Sequence, residues 1–137
     1  MPRVERLLET ALCVRDLSAS VAFYQKVFGF ELIASDDRFA ALNVAGQQVL
    51  LLFLLGASNR PLPAPGGMIP PHDAYGRMHF AFAIEADELG PWRQRLAEQR
   101  IPVESEVRWT LGGTSLYFRD PDQHLVELAT RGIWPIY

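Results

Sequence analysis

Cysteine is almost missing from this chain. Cys13 is the only one, so no internal disulfide can form and nothing calls for an oxidising compartment. Long apolar runs are missing as well: the longest, Val49 to Leu55, is the length of a buried strand. The opening residues Met1 to Arg6 mix charges and lead into no apolar segment, so neither a signal peptide nor a membrane span is expected. The expected location is the cytoplasm. There is no excess of one charge either. Thirteen Lys and Arg against sixteen Asp and Glu give a formal net charge of −3, without the broad basic field that binds nucleic acid or anionic lipid. No nucleic-acid or membrane partner is expected. What remains is an ordinary globular composition over 137 residues, enough for one domain with a real core.

The order of elements repeats. Leu7 to Val14 alternates between a larger apolar set (Leu8, Leu12, Val14) and a smaller one (Glu9, Ala11, Cys13), the two-residue period of a strand with unlike faces. Asp16 and Ser18 offer helix N-caps, Leu17, Val21, Tyr24 and Phe28 follow at helical spacing, and Gly29 stands where a C-cap is expected. Three extended segments come next, over 30–35, 39–44 and 48–55, separated by Asp36-Asp37 and Ala45-Gly46. The second half replays this. Met78 to Ile84 alternates, with Phe80, Phe82 and Ile84 on one face and His79, Ala81 and Ala83 on the other. Asp87 is placed to cap a helix carrying Leu89, Trp92 and Leu96, with Pro91 in its first turn. Extended segments over 101–109, 114–119 and 124–130 complete the copy. Between the halves, Gly56 to Gly76 is rich in Pro and Gly and reads as a linker or lid without regular structure.

Aligning the halves puts Glu9 opposite His79, on the strand face turned away from the helix. Their neighbours there are small (Ala11, Cys13, Ala81, Ala83) and leave the room a cavity needs. In the last strand Glu127 stands between apolar neighbours. Singly, each has an ordinary explanation, because a lone His on an apolar strand is more often packed than ligating and a Glu alternating with Val and Leu more often lies on a wet face. The combination points further. Two carboxylates and an imidazole on cavity-facing strands suit a divalent metal of borderline hardness. His72, after Pro70-Pro71, is either a stiffly held loop group over the cavity or a solvated linker residue. Tyr117 and Arg119 share a parity with Ser115 and either line the site or lie outside it. Trp109, Trp134 and Tyr137 supply an apolar wall, a dimer contact or simple packing.

Several segments carry a family resemblance. Val14-Arg15-Asp16-Leu17 with Phe23-Tyr24 and Phe28-Gly29-Phe30 looks like the first module of the vicinal oxygen chelate superfamily (glyoxalase, bleomycin resistance protein, extradiol dioxygenase). His79-Phe80-Ala81-Phe82 resembles the opening of its second module, and Tyr117 through Leu128, with Asp120-Pro121-Asp122, its closing hairpin and last strand. The resemblance implies an α+β fold of two tandem βαβββ modules with pseudo-two-fold symmetry, mixed sheets curving around a central cavity and helices outside. It implies a single domain: module 1 over about 7–55, linker 56–76, module 2 over about 77–130 and a tail 131–137. It also implies metal ligands on the opening strand of each module and on the last strand. His79 and Glu127 match that pattern. Glu9 falls where many members have His, and Val49 to Phe53 offers no fourth ligand. Gln123 stands where related hairpins commonly carry Gly.

Two functions follow. The first is a glyoxalase-like, metal-dependent lyase or isomerase, with His79, Glu127 and Glu9 as ligands of a divalent ion (Zn, Ni, Mn or Fe). Glu9 or Glu127 would move a proton, and His72, Trp109, Tyr117 and Arg119 would contact the small, oxygen-bearing substrate. The one-nitrogen, two-oxygen set departs from the two-His, one-carboxylate set of non-haem iron oxygenases, which weighs against an extradiol dioxygenase. The alternative is a metal-free sequestering protein of the bleomycin-resistance type, which holds a planar compound by stacking and needs no cofactor. Exposed sheet edges favour a homodimer in either case.

Overall fold

Alternation shapes the opening strand as the pattern requires. In the computed structural model, which describes residues 1–137, β1 spans Glu9–Val14. Leu12 and Val14 are fully buried, while Glu9 and Ala11 are exposed. The helix α1, Leu17–Phe28, starts where Asp16 accepts a hydrogen bond from the Ala19 amide at 3.0 Å. It stops where Gly29 turns left-handed at φ 73° and donates its N–H to the Gln25 carbonyl. The buried stripe of α1 is Ser20, Tyr24 and Val27. Of the expected stripe only Tyr24 is fully inside; Phe28 sits half-buried, its ring stacked between Tyr24 and Phe30 at 5.9 and 5.0 Å. β2 (Glu31–Ser35), β3 (Phe39–Val44) and β4 (Gln48–Leu54) complete a sheet of order β1-β4-β3-β2, packed under α1. Leu42, Leu50 and Leu52 form its core with Leu12 and Tyr24. Each buried leucine contributes about 1.5–3 kcal/mol relative to exposure.

The second unit repeats the topology. β7 (His79–Ala83), a 3-10 turn (Ala86–Glu88), α2 (Leu89–Glu98), β8 (Ser105–Arg108), β9 (Thr114–Arg119) and β10 (Leu125–Ala129) follow in order, and the sheet runs β7-β10-β9-β8. In both units the opening strand pairs in parallel with the closing strand, Glu9 opposite Val49 and His79 opposite Leu125. The tandem βαβββ architecture is therefore present. The two compact units divide at Tyr75 and Gly76. No helix is long and apolar enough to cross a membrane.

Three local expectations are corrected. The Pro-rich segment is not free of regular structure: Leu62–Ala64 and Gly67–Ile69 pair as a short hairpin, β5–β6, around Pro65-Gly66. An edge ribbon tolerates Pro63, whose missing N–H interrupts little in a two-stranded pair, and Pro-Gly suits the turn. Asp87 does not cap α2. It lies inside the 3-10 turn, and the N-cap residue is Glu88, which makes no side-chain bond. Pro91 is then the third helical residue and has no N–H for such a cap to hold. The segment expected over 101–109 pairs as a strand only over Ser105–Arg108, because Pro102 interrupts its start. α2 instead gains its tie to β8 from Arg93, which forks onto Glu106 at 3.1 and 2.7 Å.

The closing hairpin is built on Asp120. Its Oδ1 accepts from the amides of Asp122 and His124 at 3.0 and 2.9 Å, and its carbonyl from Gln123 at 3.0 Å. His124 is buried, and its Nδ1 accepts from the Met78 amide at 2.9 Å, holding the entry to β7 against β10. Gln123 takes φ 66°, a left-handed conformation that costs a non-glycine residue roughly 1–2 kcal/mol. Gln123→Gly should therefore raise the stability in urea unfolding by about 0.5–1 kcal/mol, after the extra chain entropy of glycine. An unchanged or lower midpoint would show that the strain is relieved elsewhere.

Candidate functional site

The face of the second sheet that carries His79 holds a connected row of polar groups. β7 presents His79, β10 presents Glu127, and β9 presents Ser115 and Tyr117, with Tyr117 directly across from Glu127. Glu127 is 6% exposed although its strand neighbours Val126 and Leu128 are fully buried apolar residues. A carboxylate so placed needs partners, and both of its oxygens have them. Oε1 accepts a 2.5 Å hydrogen bond from the Ser115 hydroxyl, which in turn accepts from the Trp109 indole N–H at 2.8 Å. Oε2 stands 3.2 Å from His79 Nε2.

The state of His79 follows from its other nitrogen. Nδ1 lies 3.0 Å from the Leu125 carbonyl oxygen, which can only accept, so Nδ1 carries the proton. Nε2 then faces the carboxylate either with a second proton or with a lone pair, and in the latter case the pair needs a cation between them. Donor atoms about 2.1 Å from one shared ion, at tetrahedral or octahedral angles, stand about 3.0–3.4 Å apart. The observed 3.2 Å fits that spacing. An orienting carbonyl on Nδ1 and an orienting hydroxyl on the carboxylate are the supports that metal ligands ordinarily have. Tyr117 closes the row, its ring 6.2 Å from that of His79. Burial first, and then the Glu127 charge and a hydrogen bond to it, push its phenol above the usual value, against a lowering hydrogen bond with Ser115.

The other anticipated residues lie elsewhere. Arg119 forks onto Glu104 at 2.7 and 3.1 Å and donates to the Gln123 carbonyl at 3.1 Å, an arrangement that braces the closing hairpin. Glu9 and His72 belong to the first unit. There they line a cavity of about 460 Å³, with the His72 ring edge-on to Phe53 at 4.5 Å and its amide bonded to the Ser58 carbonyl. No three His, Cys, Asp or Glu side chains gather as a metal-holding group; the pair His79–Glu127 is what the second unit assembles. Ser115 was visible in the sequence only as a parity mate of Tyr117. Its role as the hydroxyl holding Glu127 depends on strand register, and Trp109 proves to be its polar partner, not merely an apolar wall.

A paired βαβββ fold with a His–Glu pair across β7 and β10 is the frame of a glyoxalase-type protein. The sequence matches the Glyoxalase/Bleomycin resistance protein/Dioxygenase superfamily over residues 6–128, and the chain belongs to that superfamily. It is 31% identical over 122 residues to the metallothiol transferase FosB of Bacillus licheniformis, covering 88% of this chain and 72% of that protein. It is 27% identical over 125 residues to the glutathione transferase FosA of Serratia marcescens, covering 91% and 80%. Among solved structures, a lactoylglutathione lyase from Agrobacterium tumefaciens superposes with a TM-score of 0.89 at 36% identity, covering 98% of this chain and all of that one.

Proposed function

We propose that this protein is a metal-dependent enzyme of glyoxalase type, acting on a small substrate that offers oxygen atoms to a divalent ion. The observation that carries the reading is the 3.2 Å approach of His79 Nε2 to Glu127 Oε2, with the far atom of each group already committed. His79 and Glu127 would hold the ion. Glu9, the counterpart of His79 in the repeat, would be a third ligand or a base. The relatives named as a metallothiol transferase, a glutathione transferase and a lactoylglutathione lyase support metal-assisted transfer or isomerisation.

When bound, the ion would supply a Lewis acid that polarises substrate oxygen. The remaining work falls to the chain. Ser115 and Trp109 hold Glu127 in one rotamer, so Oε2 alone faces the reacting side. The Leu125 carbonyl fixes the His79 tautomer. Tyr117 keeps its proton through neutral pH and can donate it to a developing negative oxygen beside the pair. The low exposure of Glu127 limits competition from water.

Elemental analysis and thermal melts test this directly. Purified protein should retain a divalent metal, and chelator should lower the melting temperature, with recovery when Zn, Ni, Mn or Fe is returned. At a hundredfold excess over Kd, binding adds about 2.7 kcal/mol by mass action. Protein with no metal and no response to any of the four would leave the His79–Glu127 contact a simple ion pair. The metal-free sequestering reading would then take its place, favoured by the apolar cavity of the first unit.

A further inference from the structure

The two sheets share one register but not one chemistry. At the positions that hold Glu127, Ser115 and Ala129 in the second unit, the first has Leu51, Phe39 and Phe53. Of the second unit's row, only the His79 position keeps a ligand-type group, Glu9. The replacements turn a polar row into an apolar floor. Phe39 and Phe53 stack on it at 6.0 Å, and Leu62 and Ile69 of the β5–β6 hairpin add a further wall to the cavity of about 460 Å³. That volume lies within the range of small-molecule sites.

Charge on the cavity wall narrows the occupant. Arg38 is already paired with Asp36 at 3.0 Å. Arg60 also lines the cavity and has neither an ion-pair nor a hydrogen-bond partner. We infer that this first-unit cavity binds an apolar organic acid, with a body the size of one or two aromatic rings against Phe39, Phe53 and Leu51 and an acidic group at Arg60.

Calorimetric titration of the full chain with 1-naphthoate and with neutral 1-naphthalenemethanol tests the inference. Both should bind saturably, the acid about tenfold tighter, as expected for one charge-assisted contact. Arg60→Gln should erase that preference and leave the alcohol's affinity unchanged. Phe53→Ala should weaken both ligands. If that variant fails to fold, Ile69→Asp, on the exposed hairpin strand, should do the same. Chelator should leave binding of the alcohol intact, so loss of the metal reading would not imitate failure here. The inference is overturned if neither compound binds, if chelator removes binding of the alcohol, or if Arg60→Gln leaves the acid preferred.

Discussion

On the proposed metal reading, His79→Ala and Glu127→Gln should each weaken retention of the divalent ion by at least about a hundredfold, since each would remove a ligand atom and not merely a support. Glu127→Gln is the sharper of the two. The amide keeps the shape of the side chain, and its oxygen can still accept from Ser115, so the fold should stay intact. Its melting temperature in chelator should fall within about 3 °C of the parent, as for a change of well under 1 kcal/mol. Changes one and two bonds further out should grade downward. Ser115→Ala removes the hydroxyl that donates to buried Glu127 Oε1 and should cost about 10–100-fold in metal affinity, whereas Trp109→Phe, which keeps the ring and removes the N–H, should cost less. Dissociation constants from competition with a chromophoric chelator would read the series. Parent-like affinity in both His79→Ala and Glu127→Gln would remove the pair from the metal site.

The largest loss of stability should come from Gly132→Ala, at roughly 3 kcal/mol or a fall of about 10 °C in melting temperature. The segment after β10 crosses the β8–β9 turn backbone to backbone. The Gly113 amide donates to the Gly132 carbonyl at 3.1 Å, and next to that contact the Thr130 amide donates to the Thr114 carbonyl while the Thr130 hydroxyl accepts from the Thr114 amide. A Cβ on Gly132 would stand 2.5 Å from the Gly113 nitrogen and 2.6 Å from the Leu111 carbonyl oxygen, and φ is 96°. Main-chain atoms on both sides cannot turn away as a side chain would. Gly112→Ala separates the two causes. Its φ of 97° is equally strained but a Cβ there meets open space, so it should cost only about 1–2 kcal/mol. Equal losses in urea unfolding would mean that dihedral strain alone matters. Trp109 opens this turn and bonds to it through both its amide and its carbonyl, so Gly132→Ala should also loosen the indole that steadies Ser115.

Much of this was legible in the residues, for identifiable reasons. Period-two patterns located β1 and β7 closely, because one face of each meets the core and the other does not. Asp16 and Gly29 bounded α1 because cap chemistry is local. The closing hairpin was legible through the family resemblance, which also marked Gln123 as standing where related hairpins commonly carry Gly. The misses are tertiary or depend on positional detail. A three-residue ribbon such as β5–β6 has too short a period to stand out against its prolines. The α2 start depends on where a preceding 3-10 turn ends, and Asp87 falls inside that turn so that Glu88 becomes the N-cap. At the site, His79 and Glu127 could be named from pattern and resemblance. The bond from Trp109 through Ser115 to Glu127 could not, because it crosses from the end of β8 to β10 and requires knowing the register of three strands.

The parallel pairing of β1 with β4 and of β7 with β10 fixes an order of completion as the chain is made. Each sheet waits for its own final strand, since the first strand's partner is the last to arrive. The first unit has all its strands once Ile69 is present, whereas Glu127 belongs to the final strand of the whole chain. Non-local pairing of this kind is slow to form. During synthesis the apolar cavity can therefore exist before any His–Glu pair does. A product interrupted before Leu125 would keep the first sheet's complement of strands and lack the pair altogether. Newly made chains should thus acquire the capacity to hold organic ligands earlier than the capacity to hold a metal.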